Sequence, residues 1–108
     1  MYFSDVGNRP FKELTPGVRT RTFWTNNMLV SLLDFSANSV VPLHSHPEEQ
    51  VGIVFEGEIY MTIGGETRLM KTGELYVIPG EVEHGGKTTD NPAKVCDVFS
   101  PIRKEYQY

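Results

Sequence analysis

The stretch HSHPEEQ, His44 to Gln50, holds two of the three histidines in the chain. Side chains on a strand alternate faces, so His44 and His46 point to the same side. Pro42 and Pro47 bracket the pair and limit how far a strand can run through it. Gln50 can return to that side once the chain has turned at Pro47. The third histidine, His84, lies 34 residues beyond Gln50, and an antiparallel excursion of two hairpins would bring it back beside the first pair. Three imidazoles and one amide oxygen would then hold a divalent ion, with a position or two left for water or substrate. Two histidines at this spacing are more often solvated or satisfied by hydrogen bonds. What favours a metal site is that every histidine in the chain falls within one arrangement.

On either side of this stretch, short apolar runs alternate with Gly, Pro and Asn. VRTRTFW (18–24) is followed by a turn at TNN (25–27), then by MLVSLLDF (28–35) and VVPLHSH (40–46). VGIVFEG (51–57) leads into EIYMTI (58–63), and Gly64-Gly65 suits a tight hairpin because two glycines accept the positive φ its turn demands. TRLMK (67–71), GELYVIP (73–79) and AKVCDVF (93–99) complete the set. No window of a dozen residues keeps helical apolar spacing, so the pattern predicts an all-β domain of roughly seven to nine antiparallel strands. In the last run Val95, Asp97 and Phe99 share one face and Cys96 and Val98 the other. Facing inward, Asp97 would sit beside the ion and could move a proton; facing outward, it would be a solvated edge charge. Gly52 continues the face of Gln50, either leaving room beside the ion or marking a close strand contact.

A chain of 108 residues fits one domain, 1–108. Its net charge of −4 argues against nucleic acid or an anionic membrane as partner. The single cysteine, Cys96, cannot form an internal disulfide, and the N-terminal MYFSDVGNRPF has neither the basic nor the apolar region of a secretory signal. No apolar run approaches the ~18 residues of a membrane span. A cytoplasmic protein is expected.

HSHPEEQVGIVFEGE resembles the first cupin motif, with its HxHxxxE core and closing glycine at Gly57, and GELYVIPGEVEH, with Gly73, Pro79 and His84, resembles the second. Two positions depart from the pattern: Gln50 replaces the commoner glutamate, and Glu81 replaces a glycine. The resemblance implies a double-stranded β-helix (a jelly-roll barrel) with His44, His46, Gln50 and His84 around one divalent transition ion. Nickel, iron, manganese, cobalt and zinc all suit that donor set. A neutral fourth ligand leaves the charge of the ion uncompensated by the protein, which favours an anionic substrate or a developing enolate.

Asp97, Phe99 and Arg103, in the order D-x-F-S-P-x-R, extend the resemblance to the small KdgF-type cupins of pectin and alginate breakdown. It implies an isomerase-type enzyme that converts 4,5-unsaturated uronates to linear keto forms. Asp97 would carry the proton, Arg103 would hold a substrate oxygen through its planar donor fork, and Phe99 would pack on the sugar ring. Arg19 or Arg21 could instead meet the carboxylate, although an exposed strand face is the simpler place for both. Two rivals are a metal-dependent cupin dioxygenase and a non-catalytic sugar-binding module. A homodimer formed through a sheet edge is expected. Trp24, Phe35 and Tyr60 read as core or subunit contacts, Glu81 and Glu83 as loop charges, and Cys96 as a small buried apolar residue.

Overall fold

The computed structural model describes residues 2–108. Among these residues ten strands form in chain order: β1 Lys12–Thr15, β2 Val18–Trp24, β3 Leu29–Phe35, β4 Val40–His44, β5 Glu49–Glu56, β6 Glu58–Ile63, β7 Glu66–Lys71, β8 Leu75–Ile78, β9 His84–Thr88 and β10 Ala93–Ser100. They make a six-stranded sheet, β1-β2-β3-β10-β5-β8, and a four-stranded sheet, β4-β9-β6-β7, with antiparallel neighbours throughout. Two such sheets placed face to face are a jelly roll, the architecture expected from the sequence. They face each other as separate hydrogen-bonded sheets and do not close edge to edge into one barrel.

Strand alternation explains the layers. In β2, Val18, Thr20 and Thr22 turn inward while Arg19 and Arg21 stay outside. In β10, Ala93, Val95, Asp97 and Phe99 are buried. The core between the sheets is built from Val18, Leu33, Phe35, Val54, Ile59, Ile78 and Val95 with their neighbours. Phe35 belongs to it, whereas Trp24 and Tyr60 remain exposed on the surface. Buried hydroxyls on β2 and β3 satisfy one another, Thr20 Oγ1 lying 2.6 Å from Ser31 Oγ.

Gly64 and Gly65 form the expected two-residue hairpin loop, with φ of 56° and 85° and Ile63 opposite Glu66. Two strands go beyond the sequence expectation. β1 is a four-residue edge strand, too short to carry a periodic signal. β9 begins at His84 and runs through Gly85-Gly86, which strand propensity disfavours. Gly85 is needed by its neighbour, since a Cβ there would lie 2.7 Å from the Val41 carbonyl oxygen, whereas one on Gly86 would meet the flexible Met61 side chain and lie 3.2 Å from the Tyr60 carbonyl oxygen. β4 ends at His44, so His46 lies just past it rather than on the same strand. Among the described residues, no helix is long and apolar enough to cross a membrane.

Candidate metal centre and active site

The three histidines arrive from two segments. His44 ends β4 and stands opposite His84, the first residue of β9; His46 follows in the turn to β5. One ring nitrogen of each lies within 4.8 Å of the other two. The rings are held from behind by nearby backbone. His44 Nδ1 lies 2.9 Å from the Pro42 carbonyl oxygen, His46 Nδ1 3.0 Å from that of Glu48, and His84 Nδ1 2.8 Å from that of Val82. A carbonyl only accepts, so each Nδ1 carries the hydrogen and each Nε2 presents a lone pair.

Two contacts then fit a cation. His84 Nε2 is buried with no hydrogen-bond partner among the described residues, a costly state for a polar atom. His46 Nε2 lies 3.1 Å from Gln50 Oε1; with Nδ1 protonated both atoms are lone-pair donors, and a bound cation would turn that repulsion into coordination. Burial lowers the pKa of His84 to about 4, and burial followed by the Arg103 charge lowers that of His46. Both rings are therefore neutral near pH 7, the form that ligates. The donor chemistry fits a divalent transition ion.

Beside this cluster the six-stranded sheet lines up two rows of inward residues. Gln50 on β5 stands between Ile78 of β8 and Phe99 of β10. One step along, Gly52 stands between Tyr76 and Asp97. Tyr76 donates its hydroxyl hydrogen to Asp97 Oδ1 at 2.5 Å, passing over Gly52. A Cβ on Gly52 would lie 2.2 Å from Tyr76 Cζ and 2.4 Å from Asp97 Oδ1. Gly52 therefore marks a close contact between strands, and the space above it is filled by the Tyr76–Asp97 pair. Asp97 faces inward and is 6% exposed. Burial raises its pKa to about 6, while hydrogen bonding from Tyr76 and Gln50 and the Arg103 charge pull it back down.

Arg103 is buried despite its charge. Its guanidinium carbon lies 4.1 Å from the centre of the Tyr106 ring and 5.3 Å from that of Phe99, and its Nε donates to Glu105 Oε1 at 2.7 Å. This bond is the main reason the Glu105 carboxyl titrates below its usual range. Arg19 instead pairs with Asp34 at 3.6 Å on the outer face, and Arg21 donates to the Val6 carbonyl oxygen at 2.7 Å. Of the three arginines, Arg103 alone lines the cavity.

That cavity has a volume of about 350 Å³ and is lined by His44, Gln50, His84, Asp97, Phe99 and Arg103 together with Tyr76, Tyr106 and a set of core aliphatic residues. Six of the seven residues singled out from the sequence thus share its wall, and His46 joins them through Gln50. Sequence reasoning missed Tyr76 and Tyr106. The alternation of GELYVIP places Tyr76 on the face of Ile78, but a tyrosine there reads as core.

The cupin domain family matches residues 31–99. The chain is 27% identical over 107 residues, 97% of its length and 96% of the relative's, to the pectin degradation protein KdgF of Dickeya dadantii (strain 3937). It is 34% identical over 84 residues, 76% of its length, to the H2HPP isomerase of Bacillus subtilis, of which it spans 36%. The structure of KdgF from Halomonas sp. superposes with a TM-score of 0.90 at 24% identity, covering 97% of both chains. With both histidine motifs, the two facing sheets and this match in agreement, the chain belongs to the cupin family.

Proposed function

We propose that the protein is a metal-dependent isomerase that ketonises 4,5-unsaturated uronate monosaccharides, acting as one cytoplasmic domain over residues 1–108. The observation that carries this reading is Asp97: a buried carboxylate with a pKa near 6, in the wall of one cavity with His44, His84 and the buried Arg103, His46 completing the imidazole cluster beside it. The likeness to the pectin degradation protein of Dickeya dadantii supports the substrate class.

His44, His46, Gln50 and His84 would hold one divalent ion, which when bound supplies Lewis-acid stabilisation of negative charge on the enolate oxygen. Arg103, fixed between Tyr106 and Glu105, binds the uronate carboxylate or a neighbouring oxygen. Phe99 covers one face of the sugar and excludes water. Asp97, ionised near pH 7, takes the proton from the C1 hydroxyl. The C1–O bond order rises to a carbonyl as the bond from C1 to the ring oxygen breaks, and that electron pair stays on the oxygen attached to C5. Asp97 then returns the proton to C4, giving the C5 ketone. The proton count balances, and no oxidant is consumed.

The test follows loss of absorbance of the substrate's conjugated double bond with purified protein, before and after chelation, with Asp97→Asn alongside. A decay no faster than the uncatalysed control removes the proposal. Oxygen uptake during turnover would favour a dioxygenase, and retained ligand affinity without turnover a binding module.

A second reading is favoured by the cavity wall. Val18, Leu33, Ile59 and Met61 line it and offer no partners to sugar hydroxyls, which suits a carboxylate bearing a less hydroxylated ring. The same proton transfer would serve an enolisable substrate of that kind, and comparing its turnover with that of the uronate separates the two.

We further propose a homodimer. Leu75 and Val77, on the edge strand β8, are more than half exposed beside Val51 and Phe55 of β5, and a second copy would cover this apolar outer face. Sedimentation should give twice the chain mass, falling to one chain in Val77→Lys; a monomeric wild type overturns the assignment.

A further inference from the structure

We propose that Tyr76 is a positioning residue for Asp97, reaching it across the side-chain gap at Gly52 so that one carboxylate oxygen is tethered and the carboxylate plane is fixed. This rests on the reading of Asp97 as the proton carrier.

Tyr76, Gly52 and Asp97 come from three adjacent strands, β8, β5 and β10, in one register row. In that row the middle strand contributes no side chain, and any Cβ there would overlap both the phenol and the carboxylate. The 2.5 Å separation is that of a charge-assisted O–H···O⁻ bond. A lysine or arginine facing Asp97 at this distance would bind it as an ion pair and hold it as a permanent counter-charge. A phenol donates one hydrogen bond to one oxygen, restrains rotation about the last side-chain bond, and leaves the carboxylate able to accept and release a proton. Both partners are buried, Tyr76 7% and Asp97 6% exposed, so water does not compete for the bond. The next row toward the histidines carries Gln50, opposite Phe99 and 3.1 Å from His46 Nε2 through its Oε1. Asp97 is thus tethered by a strand-borne phenol one row away from a side chain that meets the imidazole cluster.

The experiment compares Tyr76→Phe, Asp97→Asn and the double variant on the unsaturated uronate, with the protein loaded with its ion and metal content checked in each. Tyr76→Phe should lower kcat by about 10- to 100-fold, the effect of misplacing a reacting group by an ångström or less, with KM within about twofold. Asp97→Asn should lose about 100-fold or more. The double variant should be no slower than Asp97→Asn, because the hydroxyl has nothing left to position. Gly52→Ala keeps the hydroxyl but displaces it, should reproduce the kcat loss, and is read in the same way if Tyr76→Phe does not fold. Full kcat in Tyr76→Phe beside an inactive Asp97→Asn overturns the positioning role and leaves the proton carrier standing. Losses that multiply in the double variant also overturn it, since Tyr76 would then act elsewhere. Full activity in Asp97→Asn removes the proton carrier itself.

Discussion

Asp97 is buried as a titrating group, and the fold bears the consequence. Its folded pKa of about 6 lies above its ordinary value of 3.8, so its contribution to stability is fully present below about pH 4 and is lost as pH rises through about 6. In the metal-free protein, Asp97→Asn should therefore gain stability over wild type across that window, by up to about 3 kcal/mol above pH 7. Urea midpoints of both proteins at pH 4, 6 and 7.5 test this, and a constant difference would contradict it. The comparison cancels His84, whose depressed pKa acts with the opposite sign: its contribution is present above about 6.5 and lost as pH falls through about 4. His84→Ala should weaken binding of the divalent ion by more than about 100-fold, beyond the range of losses from outer contacts, as read by calorimetry. The histidines were legible in the sequence because their confinement to two motifs is a property of the chain itself, although His46 lies past the end of β4 and a strand's period of two does not place it. Tyr76 was not. Its hydroxyl meets a partner 21 residues away on a strand two positions across the sheet, and nothing local distinguishes it from a core aromatic.

The elements that join the two motifs are held by backbone proximity. Gly85 sits where β9 passes β4, its Cβ position 2.7 Å from one backbone atom and 3.1 Å from another. Gly85→Ala should cost about 1–3 kcal/mol of stability and also weaken metal binding, because it pushes apart the strands that carry His44 and His84; thermal melts and metal titration read the two effects. Glu81, in the loop before β9, adopts φ of 69° and donates its backbone N–H to the His46 carbonyl oxygen at 2.8 Å. This is the position at which the cupin pattern carries glycine, and the backbone conformation gives the reason. Glu81→Gly should be neutral or stabilising by up to about 1 kcal/mol, relief of the Cβ clash being partly offset by the greater freedom of glycine in the unfolded chain. The β6–β7 hairpin could be read from Gly64-Gly65 because its turn chemistry is local. β9 could not, since its paired glycines lower its intrinsic strand propensity and the one that must be glycine, Gly85, is required by a backbone remote in sequence.

For the molecule as a whole, binding an ion to the folded state alone should raise stability by about 2.7 kcal/mol at one hundred times Kd. In a domain of this size that corresponds to a rise in Tm of roughly 10–20 °C. Calorimetric scans with added divalent ion and then with chelator should move Tm up and back, and a His44→Ala variant should respond to neither. The paired motifs named the three histidines that the fold brings together, and all-β architecture and the jelly-roll class were visible in the alternating runs and those motifs. The open pairing of the two sheets was not, because closure depends on how sheet edges meet and not on any single strand. Each imidazole is steadied by a carbonyl only two residues along its own backbone, at Pro42, Glu48 and Val82. The rings are therefore aimed without a cation to hold them, so a bound ion would be a replaceable component. Exchange of one metal for another should proceed without unfolding, and the cellular supply of metals would select which one does the work.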